Sequence, residues 1–555
     1  MDFEDYVATI LNSINDSGIE IKYPEPIFEE KMLATRDGVK LATDIFLPAQ
    51  NGSFPTIVQR GCYAAQDPLN KLIGKEFAKR GFAYVFQFCR GIGRSEGEWV
   101  PKVHERLDGK DLVDWLQDQT WVESMGYYGS SYLAMTGWAI ADIVPDKMKT
   151  MFLSNYGVHD YLANYHDGIL KPDITTSWAM DNAGWKVDAD YLTSAKYRPA
   201  LTADVDLWGG KLPWYRDVLQ STTEDSHYWS SESRQTFKKV AAKIKIPMFI
   251  SEGWYDHHLE NALMTYAELS DDVKSHSILQ IGGWNHFGQA AVFDRPTPNM
   301  LKNEFRTLLS WLTDILIDQK LPTGKIQSYE IGADKWHEEK VLPVTSSPNL
   351  TFYLNHESGQ PGTLISDKDK IGNDNLAYTF DPDNPVPSIG GEVLLKTADQ
   401  IGSRLQPKPN YRNDVVSFIS EPLNESKHLW GNIGFNINVA TDVDDTAFVI
   451  KISEILADGR TFNIRTTIST LSAKNPNYQA GETMRLQLQT LPIDWQLNSG
   501  SRIRVDITSS DFPQYQIHSN FKGNQSEQAT VRVAHQQIII DPNNSSTVTL
   551  PITNE

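Results

Sequence analysis

The sequence predicts an α/β core with a largely parallel sheet, a helical insertion within that core, and an all-β domain behind it. Three observations carry this. From Lys31 to about Pro145, short apolar runs alternate with helical stretches. Between roughly 146 and 240 the chain is rich in aromatics and in helix-compatible segments, and beyond Gln319 it breaks into short strands punctuated by Pro, Gly, Asn and Asp. The expected division is therefore 1–145 and 241–345 for the two parts of the core, 146–240 for the inserted cap, and 346–555 for a sandwich or jelly roll.

Taken in order, the strands expected in the first part are Val39 to Leu47, Thr56 to Gln59, Ala83 to Phe88 and Val122 to Tyr128. Leu69 to Arg80 and Leu107 to Trp115 carry apolar residues at helical spacing, for example Leu107, Leu112 and Trp115. A further run that can be helical follows the fourth strand, Tyr132 to Ala141. The insertion holds Tyr156, Tyr161, Tyr165, Trp178, Trp185, Tyr191 and Trp208, most of which are expected to pack its own core. The sheet resumes with strands at 247–251 and 277–281 flanking a helical run from His258 to Leu269, and a helix is expected from Glu304 to Gln319. Leu350 to Leu354, Phe448 to Ile452, Arg502 to Ile507 and Val531 to Val533 are strand candidates of the last domain.

Composition removes several classes of function. A net charge of −20, from 51 Lys+Arg against 71 Asp+Glu, offers no attraction to nucleic acid or to an anionic membrane surface. No apolar run approaches the roughly 20 residues of a membrane helix, and the start, Met1 to Asp5, is acidic where a signal peptide would be basic, so a cytoplasmic location is expected. Cys62 and Cys89 are the only cysteines; they exclude a disulfide framework or a cysteine-rich zinc site and are read as reduced thiols.

The segment Gly126-Tyr-Tyr-Gly129-Ser-Ser131-Tyr132-Leu133-Ala134, between an extended run and a helical one, reads as a nucleophile elbow. Ser131 is the candidate nucleophile: a sharp strand-to-helix turn lifts its hydroxyl out of the sheet, and glycine two residues earlier permits that turn. Tyr132 can offer its backbone N–H to a developing oxyanion. A serine also needs a base and a group that orients it, and in such folds these follow in chain order at the ends of later strands. Asp256, just beyond the strand at 247–251, and His286, just beyond the one at 277–281, fill those places.

Competing chemistry is weaker. His257 and His258 follow the aspartate, but only Glu260 lies near them at a plausible ligand spacing, so no metal is expected. Arg90-Gly91-Ile92-Gly93-Arg94-Ser95-Glu96-Gly97 is glycine-rich yet has Glu96 where a dinucleotide motif needs its third glycine. It is read as a structural loop in which Arg90 and Glu96 form ion pairs under the site, and no cofactor is expected.

With these residues in hand, the chain resembles the cocaine esterase-like hydrolases, the superfamily that also contains X-Pro dipeptidyl-peptidases and α-amino acid ester hydrolases. Besides the elbow, the matching elements are Thr35 to Asp44, Arg60-Gly61-Cys62-Tyr63, Arg90 to Glu98, Gly253-Trp254-Tyr255-Asp256, Trp284-Asn285-His286, Asn384 to Gly391, and Ser509-Ser510-Asp511-Phe512-Pro513. The resemblance covers nearly the whole chain. It implies an α/β-hydrolase core, a helical cap inserted after the elbow helix, and a C-terminal jelly roll that helps wall the site. It also implies that Ser131, Asp256 and His286 form the catalytic triad, and that Tyr63 donates its hydroxyl to the oxyanion hole beside the Tyr132 amide.

Three departures qualify it. Ala134 stands where the family often has glycine, Phe88 replaces an aspartate common two residues before Arg90, and His258 and Leu259 occupy positions near the catalytic aspartate where an ammonium-binding carboxylate would be useful. The expected function is cleavage of carboxylic esters, with amides as an extension, through an acyl-enzyme; an X-Pro dipeptidyl-peptidase is the alternative. The peptidase would need acidic residues to bind a free N-terminus, for which Asp160, Asp167 and Asp181 are candidates. A non-catalytic carbohydrate-binding protein is the alternative of another class, and the intact Ser, Asp, His and Tyr set argues against it. The expected partner is a small ester, amide or short peptide, with a homodimer left open.

Overall fold

A computed structural model describes residues 3–292, 295–300, 303–342, 349–394 and 401–553. The core is a ten-stranded sheet in the spatial order Ile27–Ala34, Lys40–Leu47, Ala83–Phe88, Phe54–Gly61, Val122–Ser130, Met148–Ser154, Met248–Tyr255, Ile278–Asn285, Lys325–Glu330, Lys335–Glu339. From Ala83–Phe88 to Lys325–Glu330 neighbouring strands run parallel, and antiparallel strands close both edges. The inner strands are buried on both faces because helices cover both sides, as parallel sheets require. Asp67–Lys79 puts Leu69, Ile73 and Phe77 against one face, and Glu105–Gln117 puts Leu112, Val113 and Leu116 against the other.

The strand Met148–Ser154 corrects the boundary expected at 145. It lies mid-sheet, between the elbow strand and Met248–Tyr255, so the insertion begins after it. Its short apolar run carries no helix or strand period of its own, and the aromatic-rich stretch behind it set the expected boundary too early. The insertion is a set of short helices, among them Pro172–Asp181, Pro213–Gln220 and Glu232–Lys238, packed on an internal cluster of Tyr165, Trp208, Tyr215 and Trp229.

From Asn349 onward the chain forms a 13-stranded sheet system whose described pairings are antiparallel, apart from Gly362–Ile365 beside Val416–Ser420. The two stretches at 384–391 and 509–513, far apart in sequence, meet there: Ser388 donates to the Phe512 carbonyl (2.7 Å) and Phe512 to the Val386 carbonyl (2.9 Å). No helix among the described residues is long and apolar enough to cross a membrane. Cys62 and Cys89 are both buried and free.

Candidate active site

Gly129 explains the elbow. A Cβ there would sit 2.2 Å from the Leu133 carbonyl oxygen, so only glycine lets the strand fold back onto its own helix. Two residues on, Ser131 takes φ +57° and ψ −128°, a conformation that costs an L-residue about 1–3 kcal/mol and is held by a hydrogen bond from its N–H to the Ser154 carbonyl, 3.0 Å. The helix Tyr132–Trp138 starts at once, and as its first residue Tyr132 has no intrahelical acceptor for its N–H. Ala134 is fully buried in this turn.

Strand ends bring the other groups to Ser131. His286 Nε2 lies 2.9 Å from Ser131 Oγ, and His286 Nδ1 lies 3.0 Å and 3.2 Å from the two carboxylate oxygens of Asp256. Asp256 is buried, which alone would raise its pKa; the adjacent His286 outweighs this, and the His258 amide, 2.8 Å from Oδ1, assists, so the carboxyl titrates below its ordinary range. Burial pushes His257 and His258 well below the usual histidine value, so both rings beside His286 are neutral. Together with His286 their nitrogens stand close enough to hold a metal ion, but His286 already bridges Ser131 and Asp256.

Tyr63, at the end of the strand Phe54–Gly61, places its phenol against the Ser131 hydroxyl and accepts a hydrogen bond from the Trp178 indole at 3.3 Å. Burial pushes its pKa well above the ordinary phenol value, so it remains a neutral donor. Trp178 is stacked on Tyr132 (5.8 Å, 14°) and meets Trp99 edge-on, which makes an aromatic wall from core, elbow and cap. The Tyr132 hydroxyl itself is turned away, donating to Glu105 Oε1 (2.5 Å) and accepting from the Lys102 amide (2.8 Å). Of the cap aromatics singled out in the sequence, Tyr161, Tyr165, Tyr191 and Trp208 serve the cap's own core, whereas Trp178 faces the site.

The glycine-rich loop is structural, but its ion pairs differ from those expected. Arg90 is bidentate to both Asp37 and Asp108, while Glu96 accepts from the Lys40 amide. The reason is reach: the positive-φ turns at Gly91, Gly93 and Gly97 fold Glu96 back to the strand Lys40–Leu47. Arg94 lies over the Phe88 ring (5.2 Å) and pairs with Asp44, so an aromatic face fills the place of the aspartate expected there.

Several positioning residues carry no motif. Asn155, at φ +59°, donates from Nδ2 to the His286 carbonyl, and the Asn285 side chain accepts from the amides of Phe287 and Gln289, which shapes the loop around the histidine. From the C-terminal domain the fully buried Arg465 reaches Trp254, Glu392 and Pro492.

Comparison with known proteins agrees with this architecture. The family model for the X-Pro dipeptidyl-peptidase S15 family matches residues 37–288, and that for the X-Pro dipeptidyl-peptidase C-terminal non-catalytic domain matches residues 319–549. Cocaine esterase from Rhodococcus sp. (strain MB1 Bresler) is 27% identical over 542 residues, covering 89% of this chain and 92% of that protein. The fold superposes on an α-amino acid ester hydrolase at TM-score 0.80 and 20% identity, covering 96% and 98% of the two chains. It superposes on an aminopeptidase from a marine sediment Thaumarchaeota archaeon at TM-score 0.80 and 18% identity, again covering 96% and 98%. Both family models thus lie in tandem along one chain whose likeness to cocaine esterase spans nearly all of it, and the protein is a serine hydrolase.

Proposed function

We propose that the protein is a carboxylic ester hydrolase that works through an acyl-enzyme on Ser131. The observation that carries this is the single imidazole of His286, hydrogen-bonded through one nitrogen to Ser131 Oγ and through the other to Asp256. In the first half-reaction Ser131 Oγ bonds to the ester carbonyl carbon while its proton passes to His286 Nε2. The carbonyl oxygen becomes an oxyanion between the Tyr63 hydroxyl and the Tyr132 N–H, and as the carbon–oxygen bond breaks, His286 gives its proton to the leaving alcohol. Water repeats the sequence on the acyl-enzyme and releases the acid. Asp256 holds the Nδ1–H tautomer throughout.

Esters are favoured over X-Pro dipeptides by what has become of the cap carboxylates. Asp160 is buried between Lys102 (3.1 Å), Arg234 (2.7 Å) and the Tyr156 hydroxyl (2.7 Å), and Asp167 is paired with Lys474 (2.6 Å). Carboxylates already neutralised in this way are poor receptors for a substrate ammonium. The aromatic wall of Trp99, Tyr132 and Trp178 suits an aryl acyl or leaving group.

The test is labelling by a fluorophosphonate probe with mass mapping, beside turnover of an aryl ester and a dipeptidyl-p-nitroanilide. Label on Ser131, its loss in Ser131→Ala together with about 10⁴- to 10⁶-fold of kcat, and preference for the ester are expected. Turnover unaffected in Ser131→Ala would overturn the mechanism; preference for the dipeptide would overturn the substrate class alone.

A further inference from the structure

Away from the catalytic residues, four side chains from four strands converge where the edge of the core sheet meets the C-terminal domain. Glu330 and His337 come from the antiparallel pair Lys325–Glu330 and Lys335–Glu339; His428 and Asp494 come from the antiparallel pair Lys427–Gly431 and Ile493–Leu497. In each pair the two residues are diagonal neighbours on one face of the sheet, since Ser328 is opposite His337 and Trp430 is opposite Asp494. One nitrogen from each imidazole and one oxygen from each carboxylate all lie within 4.8 Å of one another.

We propose that Glu330, His337, His428 and Asp494 form a binding site for one divalent transition-metal ion, zinc being the ion best matched to two imidazoles and two carboxylates, and that this ion fastens the C-terminal domain to the catalytic core.

Charge is the first argument. Both carboxylates are buried, with side chains 3% and 1% exposed, and their described ion pairs are with these two histidines alone, His337 Nε2 to Glu330 at 2.7 Å and His428 Nε2 to Asp494 at 2.8 Å. Two buried negative charges need two positive ones. The two imidazole rings are stacked, 5.2 Å apart and 15° from parallel, with one nitrogen of each within reach of the carboxylates. One divalent ion carries the charge that balances two carboxylates.

The ligating atoms are also held from behind. His428 Nδ1 is hydrogen-bonded to the Thr553 hydroxyl at 2.8 Å, which fixes the ring with Nε2 facing inward. Ser328 Oγ donates to Asp494 Oδ2 and leaves Oδ1 for the centre. Such outer partners are what orient the ligands of a metal site. Zinc bonds to nitrogen and oxygen of about 2.0–2.2 Å place ligand atoms about 3.3 Å apart, roughly half an ångström beyond the two histidine–carboxylate contacts of 2.7 and 2.8 Å. The imidazoles are 14% and 13% exposed, so an ion can enter from the surface.

Location assigns the role. Ile331 donates to the Asp494 carbonyl (3.0 Å) and Gln496 to the Ile331 carbonyl (2.8 Å), so the four residues sit on the seam where the last core strands meet the C-terminal sheet. An ion there joins both sides with bonds that the unfolded chain lacks, and its binding free energy adds to folding.

The test begins with the full chain stripped by a chelator. Zn²⁺ is titrated calorimetrically into wild type and into His337→Asn/His428→Asn, with Tm read in parallel. One equivalent bound by wild type, a rise in Tm on the order of 5 °C, and loss of both in the double variant are expected. No uptake by wild type, or equal uptake by the double variant, overturns the proposal; the latter would move the ion to the histidines beside Asp256. If the double variant fails to fold, Co²⁺ added to wild type decides: a tetrahedral Co²⁺ spectrum that survives His257→Gln/His258→Gln supports the site, and its absence from wild type overturns it. Esterase turnover is measured separately, so loss of the ion and failure of the Ser131 mechanism are distinguishable.

Discussion

Arg465, on a strand of the C-terminal domain, donates from Nη1 to the backbone carbonyl of Trp254, 2.6 Å away and two residues before Asp256. The guanidinium is fully buried, paired with Glu392, and lies over the Tyr255 ring at 5.3 Å. The domain that carries no proposed catalytic residue therefore grips the strand that presents the aspartate. Arg465→Ala leaves Glu392 buried without its cation and is expected to cost about 3–5 kcal/mol of stability. Arg465→Met/Glu392→Gln removes both charges and should recover much of that loss. Denaturant unfolding of the three proteins checks the order, and kcat should recover with stability.

Tyr63→Phe keeps the ring against Trp178 but removes the hydroxyl beside Ser131. A donor used only when the oxyanion forms should cost about 10²- to 10³-fold in kcat with little change in KM. Steady-state kinetics on an aryl ester separates the two; a change in KM alone would remove Tyr63 from the oxyanion hole.

Gly129→Ala forces a methyl into the Leu133 carbonyl. The turn must open, with a cost of about 1–3 kcal/mol from overpacking and a displaced Ser131. Fluorophosphonate labelling should slow more than thermal stability falls, because the reacting atoms need tighter placement than the fold.

His257 and His258 titrate well below the ordinary histidine value because they are buried. The unfolded chain therefore takes up protons near pH 6.5 that the folded chain refuses. Stability from these two residues is fully present above about pH 6.5 and falls below it, by about 1.4 kcal/mol per pH unit for each ring. Unfolding measured between pH 7 and 5 should show this slope, and His257→Gln/His258→Gln should flatten it.

How much of this was legible in the sequence follows from where each signal resides. The elbow, Asp256 and His286 sit on short local patterns whose chain order mirrors the order of the strands that carry them, so a linear reading finds them. The alternation of apolar runs likewise exposed the α/β core and the β domain, because sheet and helix periods are written locally. Met148–Ser154 escaped because a strand buried everywhere but at Lys149 has no alternation to show.

What the sequence determined by itself is the architecture and the set of candidate catalytic side chains, since backbone geometry and amphipathic period act over a few residues. Only the tertiary structure decided that Asp160 is neutralised by Lys102 and Arg234, that Asn155 holds the His286 loop, that Arg465 crosses from one domain to the other, and that Glu330, His337, His428 and Asp494 converge. Each of these contacts joins residues brought together by sheet pairing and domain docking. Electrostatics and hydrogen bonding depend on distance in space, and sequence spacing does not encode that distance once chains pack across a sheet or a domain seam.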